Sequence, residues 1–336
     1  MKAVQVQAPS VAGIVDIPDL TQPAVNEVLL RVDLVGMCGT DLTTFRGANP
    51  MVAFPRILGH EVAATVVEDA AGLPAGTRVT VSPYTHCGVC ASCRRGRFNA
   101  CQNNQTMGVQ RDGAMTEYIS LPRERLYTAN LSSRELCLVE PLTVGAHAAA
   151  RGRVAQEDSV AVFGCGGIGL GAIASAAFRG AVTIAIDQDD HKLEIARKAG
   201  AAHLINTASQ NLHTRLAEIT GGNGPDVAIE AIGLPLTFRA AVEEVAFTGR
   251  VVYIGYTKEP VSYETRLFVQ KELDILGSRN ALPEDFHAVI RMLEAGKFPV
   301  DDAVSAIVPP EQAAHMLAQW SACPAKFTKI MVQMAD

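Results

Sequence analysis

From residue 159 onward the chain alternates short, continuous apolar runs with helix-like segments, and this alternation restricts the possible fold more than any other feature. The apolar runs are SVAVFG (159 to 164), VTIAID (182 to 187), HLIN (203 to 206), PDVAIEAIG (225 to 233), GRVVYIG (249 to 255) and LDILGS (273 to 278). Helix-like stretches fall between and after them, at about 168 to 178, 191 to 200, 236 to 247 and 284 to 295. Strands buried on both faces carry no polar alternation, and parallel strands need crossover helices. This half therefore reads as an α/β domain built on a doubly wound parallel sheet.

The first 145 or so residues have another texture. VLLRVDLVG (28 to 36), EVAATVVED (61 to 69) and RVTVS (78 to 82) are β-branched runs bounded by Gly, Pro or Asp, and no long helix is expected before residue 132. A compact, mostly antiparallel, barrel-like domain follows, with loops long enough to carry sites. After residue 295, VDDAVSAIVP and KFTKIMVQ are again strand-like, so the tail is expected to rejoin the first domain. A length of 336 residues with 48% hydrophobic content suits two domains, each with its own core.

Gly164, Gly166 and Gly169 form G-x-G-x-x-G between the first apolar run and an Ile/Leu/Ala-rich helix, with Gly167 as an extra glycine and Ile168 inside the turn. The first glycine permits the tight turn, the second lets backbone amides approach a diphosphate, and the third allows close helix-to-strand packing. The diphosphate would sit on the helix N-terminus. Asp187 ends the next strand, where a carboxylate can accept from both ribose hydroxyls, although an Asp here can also cap the following helix. Gln188, Asp189, Asp190 and His191 follow, with no Arg to receive a 2′-phosphate, so NAD is expected rather than NADP.

Cys87, Cys90, Cys93 and Cys101 place four soft ligands within fifteen residues, on short linkers turned by Gly88 and Gly96. Four thiolates close a tetrahedral Zn²⁺ shell and leave no position for substrate, which predicts a structural zinc. An iron–sulfur cluster would use the same donors, and incidental thiols are the third reading. No basic recognition helix follows, so a nucleic-acid finger is not indicated. A second set lies outside that loop: Cys38 in GMCGTD, His60 and Glu61 in LGHE, and Glu140 in VEP. One thiolate, one imidazole and carboxylate with an open position suit a catalytic zinc. Spacing alone leaves open that Cys38 is a core thiol and His60 a capped loop residue.

These motifs, in this order and over essentially the whole chain, resemble the zinc-dependent medium-chain dehydrogenase/reductase family of alcohol, sorbitol, threonine and sugar-acid dehydrogenases. The resemblance implies a GroES-like, mostly β catalytic domain over 1–148 and 290–336, a Rossmann NAD-binding domain over 149–289, and an active site in the cleft between them. It implies two zinc ions per chain, one catalytic and one structural, with Cys38 and His60 as ligands of the first and Glu61 or Glu140 as ligand or nearby exchanging carboxylate. It makes Asp41 the carboxylate that orients the ligating histidine, and Thr40 the hydroxyl that takes the alcohol proton. Many relatives carry His where this chain has Thr43, so the proton exit differs here, through water or a carboxylate such as Glu61. The reaction implied is NAD-linked oxidation of a secondary alcohol. The likeness is greatest to sugar-acid 5-dehydrogenases acting on L-galactonate or L-gulonate, with sorbitol, L-idonate and L-threonine as alternatives. Arg279, in GSRN, and Arg111 are candidates to grip a substrate carboxylate, or else to brace structure.

Composition narrows the partners. Lys+Arg at 29 against Asp+Glu at 35 gives a net charge of −6, with no basic run to bind a phosphate backbone, so a small polyol or sugar acid is expected and nucleic acid is not. The N-terminus lacks a secretory pattern, and no charge-free apolar stretch reaches membrane length. Together with thiols crowded for metal ligation, this predicts a cytoplasmic protein with no membrane partner. The family implies a homodimer or homotetramer, with the LDILGS region as the joining sheet edge. Two rivals are a reductase working on a ketone or aldehyde, and a non-catalytic NAD-binding protein with only a structural zinc.

Overall fold

The computed structural model describes residues 1–257 and 259–335. The chain divides into two compact units, Met1–Glu140 with Val300–Asp336, and Pro141–Pro299. The division falls inside the helix Ser133–Arg151, between Glu140 and Pro141.

The first unit is β-rich. Its larger sheet has the spatial order Ala306–Val308, Ile330–Gln333, Glu27–Met37, Glu61–Val66, Arg78–Val81, Leu126–Thr128, with Tyr118–Pro122 also paired to Glu27–Met37. All pairings in it are antiparallel except that of the two C-terminal strands. The eleven-residue strand Glu27–Met37 organises this sheet by pairing with three others along its length. Leu30, Val32, Val35 and Met37 from it are buried with Val62, Ala64, Val79 and Ile330 in one core. Each such aliphatic side chain contributes roughly 1.5–3 kcal/mol on burial. A smaller sheet joins Val11–Asp16, Lys2–Ala8 and Arg56–Ile57.

The C-terminal segment returns to this core, as its strand-like pattern suggests. Between its strands lies a helix, Pro310–Ala322, that the strand pattern does not announce. Ala313, Met316 and Leu317 stand at helical spacing, are buried, and pack into the same core.

The second unit holds a six-stranded sheet in the order His203–Asn206, Val182–Asp187, Ser159–Phe163, Val227–Glu230, Arg250–Tyr253, Asp274–Gly277. Every pairing is parallel. In chain order of this unit's strands the arrangement is third, second, first, fourth, fifth, sixth, so the winding direction reverses beside the first strand. Ligands of such sheets bind outside the carboxyl ends of the strands at that reversal. Val160, Ala161, Val162 and Phe163 are all buried, as a strand covered on both faces requires. Among the described residues no helix is long and apolar enough to cross a membrane.

Candidate active site

Cys38 closes the strand Glu27–Met37 and is the N-cap of the short helix Gly39–Phe45. Asp41, in the first turn, accepts from the Cys38 backbone N–H at 2.9 Å, which fixes the direction in which the chain leaves the strand. His60 immediately precedes the neighbouring strand and Glu61 begins it, opposite Gly36 in register. A Cβ on Gly36 would come within 2.0 Å of Glu61 Oε2, so the glycine makes room for this carboxylate.

The ligand atoms of Cys38, His60 and Glu61 lie within 4.8 Å of one another. His60 and Glu61 are buried and Cys38 is half-buried. Among the described residues His60 Nδ1 has no hydrogen-bond partner, nor has Asp41 Oδ1, and the two stand 4.0 Å apart. Burial works to lower the His60 pKa, yet the charges of Cys38 and Asp41 outweigh it and hold the imidazole well above its usual value. The sulfur, nitrogen and oxygen donors suit Zn²⁺. Burial pushes the Asp41 carboxyl up, against the pull of His60.

Glu140 lies outside this group of three. Its Oε1 accepts from the buried Tyr84 hydroxyl, and burial pushes its carboxyl up to about 6, opposed by His60. Thr40 has its hydroxyl 3.7 Å from Cys38 Sγ, while the Thr43 hydroxyl donates to the Thr40 carbonyl at 2.9 Å. Thr43 is thus committed to the helix backbone.

Sequence reasoning missed Lys329. This buried ammonium donates to both Glu61 oxygens at 2.6 Å and to the Met37 carbonyl at 3.2 Å. Burial works to lower its pKa, but Glu61 and Cys38 reverse that and raise it. Its only local signal was a charge at the head of an apolar run. Tyr84, missed likewise, has a phenol held well above its usual pKa by burial first and then by Glu140.

The four cysteines of the loop come together with all Sγ atoms within 4.8 Å of one another. They are free thiols, at 3.4 Å for Cys90–Cys93, 3.9 Å for Cys90–Cys101 and 3.7 Å for Cys101–Cys87. Backbone N–H groups of Cys87, Cys90 and Asn103 point at these sulfurs at 3.3 to 3.4 Å. Such donors stabilise thiolates, and the Ser92 hydroxyl with backbone N–H groups lowers Cys90 to about 5, whereas burial raises Cys93 to about 11. Sulfurs this close with converging amides, and no disulfide, fit a closed tetrahedral ion.

In the second unit Gly164 adopts φ +97°, Gly166 is the N-cap, and Gly167 and Ile168 open the helix Gly167–Phe178. A Cβ on Gly169 would lie 1.8 Å from the Gly164 carbonyl oxygen, so only glycine fits there. Asp187 Oδ2 accepts from the Cys165 N–H at 2.8 Å, and its Oδ1 from Gln188 and Asp189. Asp187 therefore braces the glycine turn. The cap of the following helix is Asp189, which accepts from His191 and Lys192. Arg111 donates to the carbonyls of Gln105 and Pro83, both at 3.3 Å, and burial lowers its pKa to about 10. Arg279 follows the last strand of the parallel sheet, in the second unit.

A β-rich unit with a cysteine, histidine and carboxylate pocket, and a doubly wound unit with a braced glycine turn, define a metal- and dinucleotide-linked oxidoreductase class. Residues 24–130 match the alcohol dehydrogenase GroES-like domain, and residues 167–295 match the zinc-binding dehydrogenase domain. The L-galactonate-5-dehydrogenase of Escherichia coli K12 is 34% identical over 83% of each chain. Among solved structures, one described as a short chain alcohol dehydrogenase from E. coli CFT073, complexed with NADH, superposes at TM-score 0.90 with 27% identity over 99% of each chain. A zinc-binding dehydrogenase from Sinorhizobium meliloti 1021 bound to NADP gives TM-score 0.90 with 26% identity over 99% of each chain. The chain belongs to the zinc-dependent medium-chain dehydrogenase/reductase family, and is an enzyme of the alcohol and polyol dehydrogenase type.

Proposed function

We propose that this enzyme oxidises a secondary alcohol of a sugar acid, a hexonate such as L-galactonate or L-gulonate at C5, with NAD as acceptor and two zinc ions per chain. The observation that carries this reading is the convergence of the Cys38, His60 and Glu61 ligand atoms within 4.8 Å of one another. Cys38 and His60 would hold the catalytic ion with Glu61 at hand, and Cys87, Cys90, Cys93 and Cys101 the structural one. When bound, zinc supplies Lewis-acid polarisation of the substrate oxygen, and the nicotinamide supplies the hydride acceptor.

The chain's own residues do the rest. Asp41, whose Oδ1 stands 4.0 Å from His60 Nδ1, is the carboxylate that would orient the imidazole once the two close to hydrogen-bond distance. Thr40 takes the alcohol proton on its hydroxyl. With Thr43 turned to a backbone carbonyl and Lys329 on both Glu61 oxygens, water is the favoured exit for that proton. Tyr84 holds Glu140 beside the pocket. Asp187 and the absence of a following Arg support NAD over NADP. Eight free thiols fit a reducing, cytoplasmic setting.

The test is the initial rate of NAD reduction on L-galactonate, L-gulonate, L-idonate, sorbitol, L-threonine and ethanol, with zinc counted in parallel. Turnover strongest on a hexonate, with close to two zincs per chain, is expected. Preference for a polyol or for threonine overturns the substrate, and one zinc without turnover overturns the enzyme reading. In Cys38→Ala, turnover is expected to vanish while NADH binding persists. An active variant would remove Cys38 from the site.

A further inference from the structure

Glu230 ends the fourth strand of the parallel sheet, Val227–Glu230, and has no part in the chemistry above. It is a wholly buried carboxylate. Its Oε1 accepts three hydrogen bonds, from the N–H groups of Ile232 at 2.9 Å and Gly233 at 2.8 Å and from the Thr237 hydroxyl at 2.7 Å. Its main-chain carbonyl accepts from Ile254 at 2.9 Å and Gly255 at 3.1 Å. Its Oε2 has no hydrogen-bond partner among the described residues and lies against Gly255, where a Cβ would approach it to 2.5 Å. Gly233 in turn is pressed on the Tyr256 backbone, with a Cβ there 2.9 Å from the Tyr256 oxygen. One residue thus ties the loop after the fourth strand to the loop after the fifth.

A buried carboxylate is costly and is retained where its hydrogen bonds hold something in place. What these bonds hold lies at the carboxyl ends of the sheet, on the far side of the reversal from Asp187. It also borders the glycine turn, because a Cβ on Gly164 would meet the Ile232 side chain at 2.6 Å. A dinucleotide straddles the reversal. Asp187 and the glycine turn serve the adenosine half and the diphosphate, which leaves the loops after the fourth and fifth strands to the other nucleotide.

We propose that Glu230 is a positioning residue for the nicotinamide half of the dinucleotide site, holding residues 231–233 and 254–256 in the one arrangement that receives the ring. This rests on the NAD reading above. Loops held in advance need no ordering when the ligand arrives, so their backbone groups contribute more to affinity. The role requires an acceptor with Oε1 geometry; the second oxygen is dispensable.

The experiment measures dissociation constants of NADH and of ADP-ribose, which lacks only the nicotinamide, for wild-type, Glu230→Ala and Glu230→Gln. Loss of three hydrogen bonds to one carboxylate oxygen is expected to weaken NADH about tenfold in Glu230→Ala, with ADP-ribose within about twofold of wild-type. Glu230→Gln, which keeps an Oε1 acceptor, is expected to recover most of the NADH affinity. Equal losses for both ligands, no loss for either, or a glutamine variant no better than alanine would overturn the proposal. Should Glu230→Ala fail to fold, Thr237→Val removes one of the three donors and should weaken NADH alone by about threefold; no selective loss there overturns the proposal equally. Wild-type protein that binds neither ligand would refute the dinucleotide reading itself, and the positioning role with it.

Discussion

At the scale of single residues, the Lys329–Glu61 pair shows how a carboxylate can be accommodated inside a core. Both partners are buried, and the ammonium satisfies both carboxylate oxygens and one carbonyl. Removing one partner leaves an uncompensated buried charge. Lys329→Met, close in volume, is expected to lower the free energy of unfolding by about 3 kcal/mol, read by urea denaturation. An unchanged value would mean that the pair is not what keeps Glu61 in place. The Asp187 carboxylate braces the glycine turn, and on the proposed reading it also accepts from a bound ribose. Asp187→Ala should narrow the preference for NAD over NADP and raise the KM for NAD; unchanged discrimination would move the choice to other residues. Of these residues, Asp187 is legible from its place after a glycine-rich turn. Lys329 and Tyr84 are not, because their partners are set by strand pairing and not by spacing.

At the scale of elements, the cysteine loop carries little regular structure, only two short 3₁₀ turns at Cys93–Arg95 and Phe98–Ala100. Its order comes from four sulfurs converging on one point, with amides aimed at them. Cys93→Ala is expected to lose one zinc per chain and roughly 5 °C in Tm, an order set by a few kcal/mol in a domain of this size. Full zinc content with unchanged melting would contradict the structural-zinc reading. The helix Pro310–Ala322 teaches a different lesson. Pro310 at its first turn and the buried set Ala313, Met316 and Leu317 are ordinary helix signals. They are easily passed over between two strand-like runs, where a strand reading of the whole tail competes.

At the scale of the whole molecule, the parallel sheet ends on Asp274–Gly277, which among the described residues pairs on one side only, with Arg250–Tyr253. Ile275 in that strand is 39% exposed, and an unpaired apolar edge invites a second copy. We expect a dimer or tetramer by light scattering, and Ile275→Lys should shift it toward the monomer mass; a monomeric wild-type would assign this edge no such role.

Much of the architecture could be read in the amino-acid order alone, because the features involved are local. Uninterrupted apolar runs mark strands covered on both faces, glycines at fixed offsets mark a turn that admits no Cβ, and four cysteines on short linkers mark a metal loop. Each is a relation among residues a few positions apart, where chain geometry leaves few alternatives. The pocket is of another kind. Cys38, His60 and Glu61 meet because two strands pair in one register with Gly36 opposite Glu61, and Lys329 reaches them from 292 positions beyond Met37. Glu140 likewise accepts from Tyr84, 56 positions earlier in the chain. Register and burial are properties of the assembled sheet, settled by which faces exclude water, so the site's partners were decided only when the chain had folded.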